Sequence, residues 1–147
     1  MSNFKTVIEN LRTCDWKNRE TLIDALSDLT ELINEYTMEE KEHLMVLDTL
    51  EQLSRKLEAT GLKPSPECYD YQNIMQQLVA ESQMDITYEG EYHLPAYPFA
   101  YLYEIYGAEL MYCHQDDKAQ EVLQKSLDWN PVNTSVLRSC AVSRILS

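Results

Sequence analysis

Apolar residues recur along this chain at spacings of three and four, the period of an amphipathic helix. Phe4, Val7, Ile8 and Leu11 predict a short first helix, which Asp15-Trp16-Lys17-Asn18 interrupts. Leu22, Ala25, Leu26, Leu29, Leu32 and Ile33 then mark one stripe. Thr37-Met38-Glu39-Glu40 has the form of a capping box, with a hydroxyl at the N-cap and a carboxylate at N3. The helix it opens carries Leu44, Leu47, Leu50, Leu53 and Leu57, and Gly61 with Pro64 stands where it should stop. Residues 17–60 therefore read as two antiparallel helices joined by a short turn.

Ser65-Pro66-Glu67 predicts the start of a further helix: Ser at the N-cap, Pro at N1, an acid at the positive end of the dipole. Tyr71, Ile74, Met75, Leu78 and Val79 give it an apolar face, and it ends near Ser82. Residues 84–97 break the period. Ile86, Tyr88, Tyr92 and Leu94 around Glu89-Gly90 fit an irregular loop or a short hairpin. From Pro98 the helical pattern resumes, with helices expected at about 98–113, about 116–129 and from about 132 onward. The expectation is an all-α chain of about seven helices: one helical domain over 1–147, with helical pairs over 1–83, the break at 84–97, and a distinct unit over 98–147.

Composition sharpens this. Three Gly and five Pro leave few tight turns, so long helices are the building material. A net charge of −13 argues against nucleic acid and against an anionic membrane surface, and favours a basic partner. No apolar run is long enough to span a membrane, and the first twenty residues lack the apolar core of a secretory signal. Cys14, Cys68, Cys113 and Cys140 are widely spaced, without a C-x-x-C pair. They read as reduced, mostly buried thiols of a cytoplasmic protein.

One stretch follows a stricter rule. Gly107, Ala119, Leu123, Ser126 and Pro131 fall in a fixed order, preceded by Tyr103 and with Tyr106 and Leu110 about the Gly. Small residues at Gly107 and Ala119 let two helices approach. Tyr103 and Leu123 fill the adjoining space. Ser126 leaves room for a following helix, and Pro131 offers that helix a ready N1. This register resembles the tetratricopeptide repeat, a helix–turn–helix of about 34 residues. The resemblance covers about residues 100–133, with Tyr106 in place of Leu, Leu110 in place of Tyr and Ser126 in place of Ala. One repeat upstream the register fails: Asp85 and Glu89 occupy its apolar positions. A lone repeat cannot bury its own core, so the other helices must cover it. The last helix, from Val136, would be the first of a next unit: either a cap or a point of truncation. Its uncovered apolar face would favour dimerisation.

Between Lys63 and Lys118 there is no Lys or Arg, while the span holds ten Asp and Glu and nine of the ten Tyr. Carboxylates and Tyr faces both suit a Lys- or Arg-bearing peptide. Packing of half-buried Tyr is the plainer account of any single one. The resemblance implies that the first repeat helix lines a concave groove for peptides, which assigns Tyr101, Glu104, Ala108, Met111 and Tyr112 to partner binding. The Lys, Arg and Asn set by which family members clamp a terminal carboxylate is missing.

Other chemistries find little. Glu40-x-x-His43 matches one element of a di-iron bundle, but a second such element is lacking and His93 and His114 do not supply it. His43 reads as a solvated helix residue, and Cys113-His114 as packing at a turn. There is no G-x-S-x-G, no H-E-x-x-H and no Gly-rich phosphate loop. The expectation is a non-enzymatic interaction module with no cofactor and no metal, an adaptor or small chaperone-like binder of a basic or extended peptide. A structural module that homodimerises is the second reading, and a metal-binding helical bundle the third.

Overall fold

A computed structural model describes residues 2–84 and 93–146, and these form seven α-helices with no strand among them. The helices are α1 (Ser2–Thr13), α2 (Arg19–Glu35), α3 (Glu40–Glu58), α4 (Ile74–Gln83), α5 (Phe99–Tyr112), α6 (Asp116–Trp129) and α7 (Thr134–Leu146). The expected break at 84–97 falls largely on residues 85–92, outside the described residues; Ile86, Tyr88, Glu89 and Tyr92 lie there. The chain divides into two compact units, Met1–Gly61 with Ala96–Pro98, and Leu62–Pro95 with Phe99–Ser147.

In the first unit α1 packs against both α2 and α3. Asn18 caps α2, its Oδ1 accepting the Thr21 N–H at 3.1 Å. The apolar stripe of α2 turns inward, with Leu22, Leu26 and Leu29 fully buried. The capping box lies two residues later than the sequence suggests: Glu39 is the N-cap of α3, and Glu42 reaches back to the Glu39 N–H at 2.8 Å. The inner stripe of α3 is His43, Val46, Leu47, Leu50, Leu53 and Leu57, while Leu44 is 54% exposed. His43, expected in solvent, is therefore buried on the apolar side of α3. Arg12 ties α1 to α3, its Nε donating to Thr49 Oγ1 at 3.2 Å. Gly61 follows α3 at φ +77°, the left-handed conformation that ends many helices. The rings of Trp16 and Tyr97, 5.6 Å apart, bring the 96–98 segment into this unit.

The second unit begins differently from the sequence expectation. Ser65-Pro66-Glu67 opens only a single 3₁₀ turn, Pro66–Cys68, and the chain then extends to Asn73. Asn73 caps α4, accepting the Gln76 N–H at 3.0 Å. The cause of the delay is Asp70. It is buried, its N–H donates to the Trp129 carbonyl at 2.7 Å, and its carboxylate accepts the Ala100 N–H at 2.9 Å. Those long-range bonds hold the segment extended against its local helix signals. Tyr71 is buried in this segment and is not part of the α4 face.

Helices α5 and α6 pack along their length, and α7 packs on α6. A Cβ placed on Gly107 would lie 2.5 Å from Leu123 Cδ2, so any larger residue there has to displace the Leu123 side chain. Ala119 is fully buried. Ser126 is equally buried, and its hydroxyl donates to the Ala100 carbonyl at 2.8 Å across the α5–α6 crossing. Phe99 and Trp129 stack at 4.1 Å across the same end. Between α5 and α6 His114 stands at φ +61°; Gln115 N–H donates to the Leu110 carbonyl and His114 N–H to that of Met111. This is a Schellman-type stop with a His where Gly is usual. Pro131 does not supply N1 of α7. Asn133 caps that helix instead, its Oδ1 accepting from Ser135 and Val136 N–H at 3.1 and 3.4 Å.

Candidate functional site

Helix α5 is apolar nearly all round, so its surface is defined by what its neighbours leave uncovered. Phe99, Ala100, Leu102, Tyr103, Ile105, Tyr106, Gly107, Glu109 and Leu110 are buried. The five that remain are Tyr101, Glu104, Ala108, Met111 and Tyr112, the positions that the repeat register assigns to a groove. At a helical period these five form one continuous strip. Ala108 is exposed, Tyr112 is 65% exposed at the C-terminal end, and Tyr101 and Glu104 are half-buried. Met111 leans onto the cluster of Leu123, Leu127, Val136 and Cys140, so it forms the soft floor of the strip.

Glu104 is held in a hydrogen-bonded circuit. Gln72 Nε2 donates to its Oε2 at 3.5 Å and Asn133 Nδ2 to its Oε1 at 3.2 Å. Gln76 Nε2 donates to Gln72 Oε1 at 3.4 Å, and Asn130 Nδ2 to Gln76 Oε1 at 2.9 Å. The Asn133 N–H donates to the Asn130 carbonyl at 3.3 Å and closes the ring. The circuit pins the start of α4 and the α6–α7 turn to the middle of α5. Sequence reasoning missed Gln72, Gln76, Asn130 and Asn133, because amides far apart in the chain carry no periodic signal. Burial pushes the Glu104 carboxyl above the ordinary carboxylate range, and the hydrogen bond from Asn133 opposes this only in part.

The Tyr-rich span is less open than its composition suggests. Tyr103 and Tyr106 are buried, and the chain's own Lys125 and Lys118 lie 5.7 Å from their respective ring centres. Tyr71 is buried beside Tyr69. Two of the acids are withdrawn as well, since Asp70 and Glu109 are both buried. Of the Tyr and acids on α5, Tyr112 is exposed and Tyr101 and Glu104 are half-buried.

In the first unit a cleft of about 360 Å³ lies between α1 and α2. Phe4, Val7 and Leu32 contribute its apolar surface, and Asp28, Glu31, Glu35 and Tyr36 its polar one. None of the four cysteines forms a disulfide; Cys140 alone is buried and the other three are half-buried, so the expectation of mostly buried thiols fails. Desolvation pushes the Cys14 and Cys140 thiols up, away from the reactive thiolate. No described helix is long and apolar enough to cross a membrane. No family model matches the chain, and no match is found among curated proteins or solved structures.

Proposed function

We propose that this chain is a non-enzymatic protein-interaction module whose α5–α6 hairpin is tetratricopeptide-like and whose α5 strip holds a basic or extended peptide segment. One observation carries the reading: the residues of α5 that are not fully buried make a single strip of two Tyr, one carboxylate, Ala and Met. Such a strip offers aromatic faces for cation–π contact, one acid for a charged hydrogen bond and a small residue where a backbone can lie close. The span from Lys63 to Lys118, which contains the strip, has no Lys or Arg, which suits a cationic guest. The four widely spaced cysteines, none of them in a disulfide, fit a reducing, cytoplasmic setting.

The test is fluorescence anisotropy with labelled Lys/Arg-rich and Asp/Glu-rich peptides of equal length. Tyr112→Ala and Tyr101→Ala should each weaken the basic peptide about tenfold, as for aromatic anchors elsewhere, with helix content unchanged by circular dichroism. Equal binding of the two peptides, or no effect of either substitution, would sink the proposal.

A further inference from the structure

Two helices of the second unit carry apolar faces that the described chain does not cover. On α4, Ile74 and Met75 are each 63% exposed, Leu78 49% and Val79 37%. On α7, Leu137 and Val142 are each 46% exposed and Ile145 83%, with Ala141 exposed between them. The inner sides are settled elsewhere. Val136, Cys140 and Ser143 face inward from α7, Ser143 Oγ donating to the Asp116 carbonyl at 3.0 Å; Ala80 is the buried residue of α4.

The two faces share a geometry. Each opens on an apolar residue (Ile74, Leu137) and repeats at i+4 and i+5 (Leu78 and Val79; Ala141 and Val142). Each carries a charge two turns on, at the margin of the stripe: Glu81 on α4 and Arg144 on α7. The charges are opposite. Helix α7 holds Arg138 and Arg144 and no acid, whereas α4 holds Glu81 and no base. In a chain of net charge −13, contact between copies is repulsive unless a basic element meets an acidic one. Pairing α4 with α4 would bring together two acidic helices with no base between them, and pairing α7 with α7 would bring together four Arg with no acid. Only the unlike pairing joins apolar ridges of the same i+4 spacing with complementary charge.

We propose that α7 of one molecule docks on the α4 face of a second copy, so that the protein self-associates head to tail. The contact does not use the α5 strip and is independent of the peptide-binding reading. A single contact of this kind repeats into rings or open chains, and two reciprocal ones close a twofold dimer.

Sedimentation velocity on the full chain over a concentration series tests this, with Leu78→Arg and Ile145→Glu as variants. Both positions are exposed, and circular dichroism checks that helix content is kept; Val79→Arg and Leu137→Glu serve as a second pair if it is not. The wild type should grow in mean mass with concentration, and each variant alone should lose association by about tenfold or more in concentration. An equimolar mixture of the two variants keeps one intact contact and should form a one-to-one dimer that grows no further. Tyr112→Ala should associate as the wild type does. A wild type that stays monomeric, a single variant that still associates, or a mixture that stays monomeric would each overturn the proposal.

Discussion

Asp70 holds the first turn of α5 from thirty residues upstream: its Oδ2 accepts the Ala100 N–H at 2.9 Å. Ala100 is thereby fixed twice, because its carbonyl accepts the Ser126 hydroxyl at 2.8 Å. The first amides of a helix have no partner within it, and a carboxylate there satisfies one of them and complements the dipole. Here the cap comes from a distant segment, so it joins local helix stability to the tertiary fold. Asp70→Ala should cost about 2 kcal/mol, because it removes a cap and leaves a buried N–H unpaired. Asp70→Asn keeps an acceptor and should cost about half as much. Urea unfolding of the two variants checks the order; equal stability of Asp70→Ala and wild type would contradict it.

Gly107 and Leu123 form a pair that can be tested by exchanging their sizes. Replacing Gly by Ala within a helix gains about 1 kcal/mol from propensity alone. At this position the new Cβ meets Leu123 Cδ2 at 2.5 Å and Cγ at 2.6 Å, and overpacking of that kind costs about 1–3 kcal/mol. Gly107→Ala should therefore destabilise the wild type by about 1 kcal/mol. Leu123→Ala alone should cost about 2–5 kcal/mol as a buried cavity. In that background Gly107→Ala should become stabilising. A thermodynamic cycle from denaturant unfolding measures the reversal, and additive effects would show that the approach of α5 to α6 is not limited by this contact.

His114 sits at φ +61° in the stop between α5 and α6, and it is exposed. A side chain in that conformation costs roughly 1 kcal/mol relative to Gly. His114→Gly should raise stability by about that amount without touching the core. A loss of stability would mean that the imidazole makes a contact worth more than the backbone strain.

These residues show how far the sequence could be read. Helical period located every α-helix among the described residues, and the order Gly107, Ala119, Leu123 placed the α5–α6 crossing, because both signals are local. Tyr101, Glu104, Ala108, Met111 and Tyr112 share one face of α5, as helical period requires, but their assignment to partner binding comes from the repeat register alone. Asp70 was not: its role depends on Trp129 and Ala100, which no spacing rule connects to it, and so the Ser65-Pro66-Glu67 signal pointed to a helix that tertiary bonds forbid. His43 was misread because a His beside a Leu stripe reads as solvated, whereas in α3 it completes the buried face with Val46, Leu47 and Leu50 while Leu44 turns outward. The amide circuit around Glu104 joins three elements through side chains of low periodic content. The α4 face was recognised as apolar, but its exposure depends on what packs against it, which periodicity does not encode.

Glu104 gives a prediction in pH. Desolvation raises its carboxyl pKa in the folded chain, with the Asn133 hydrogen bond pulling the other way. Between the ordinary carboxylate value and this raised one, the folded state keeps a proton that the unfolded state has released. The native form then binds more protons, so stability falls as pH rises through that window and levels off above it. Glu104→Gln removes the titration. The stability of wild type minus that of Glu104→Gln should be largest at low pH, decline as pH climbs past the ordinary carboxylate range, and become flat towards neutrality. Thermal or urea unfolding of both proteins across that range measures the difference directly. A difference that grows with pH would mean that the donors from Gln72 and Asn133 hold the charged form better than burial penalises it. The strip on α5 would then carry a firmly ionised acid at its centre, and the basic-peptide binding proposed for it should persist at lower pH than desolvation alone allows.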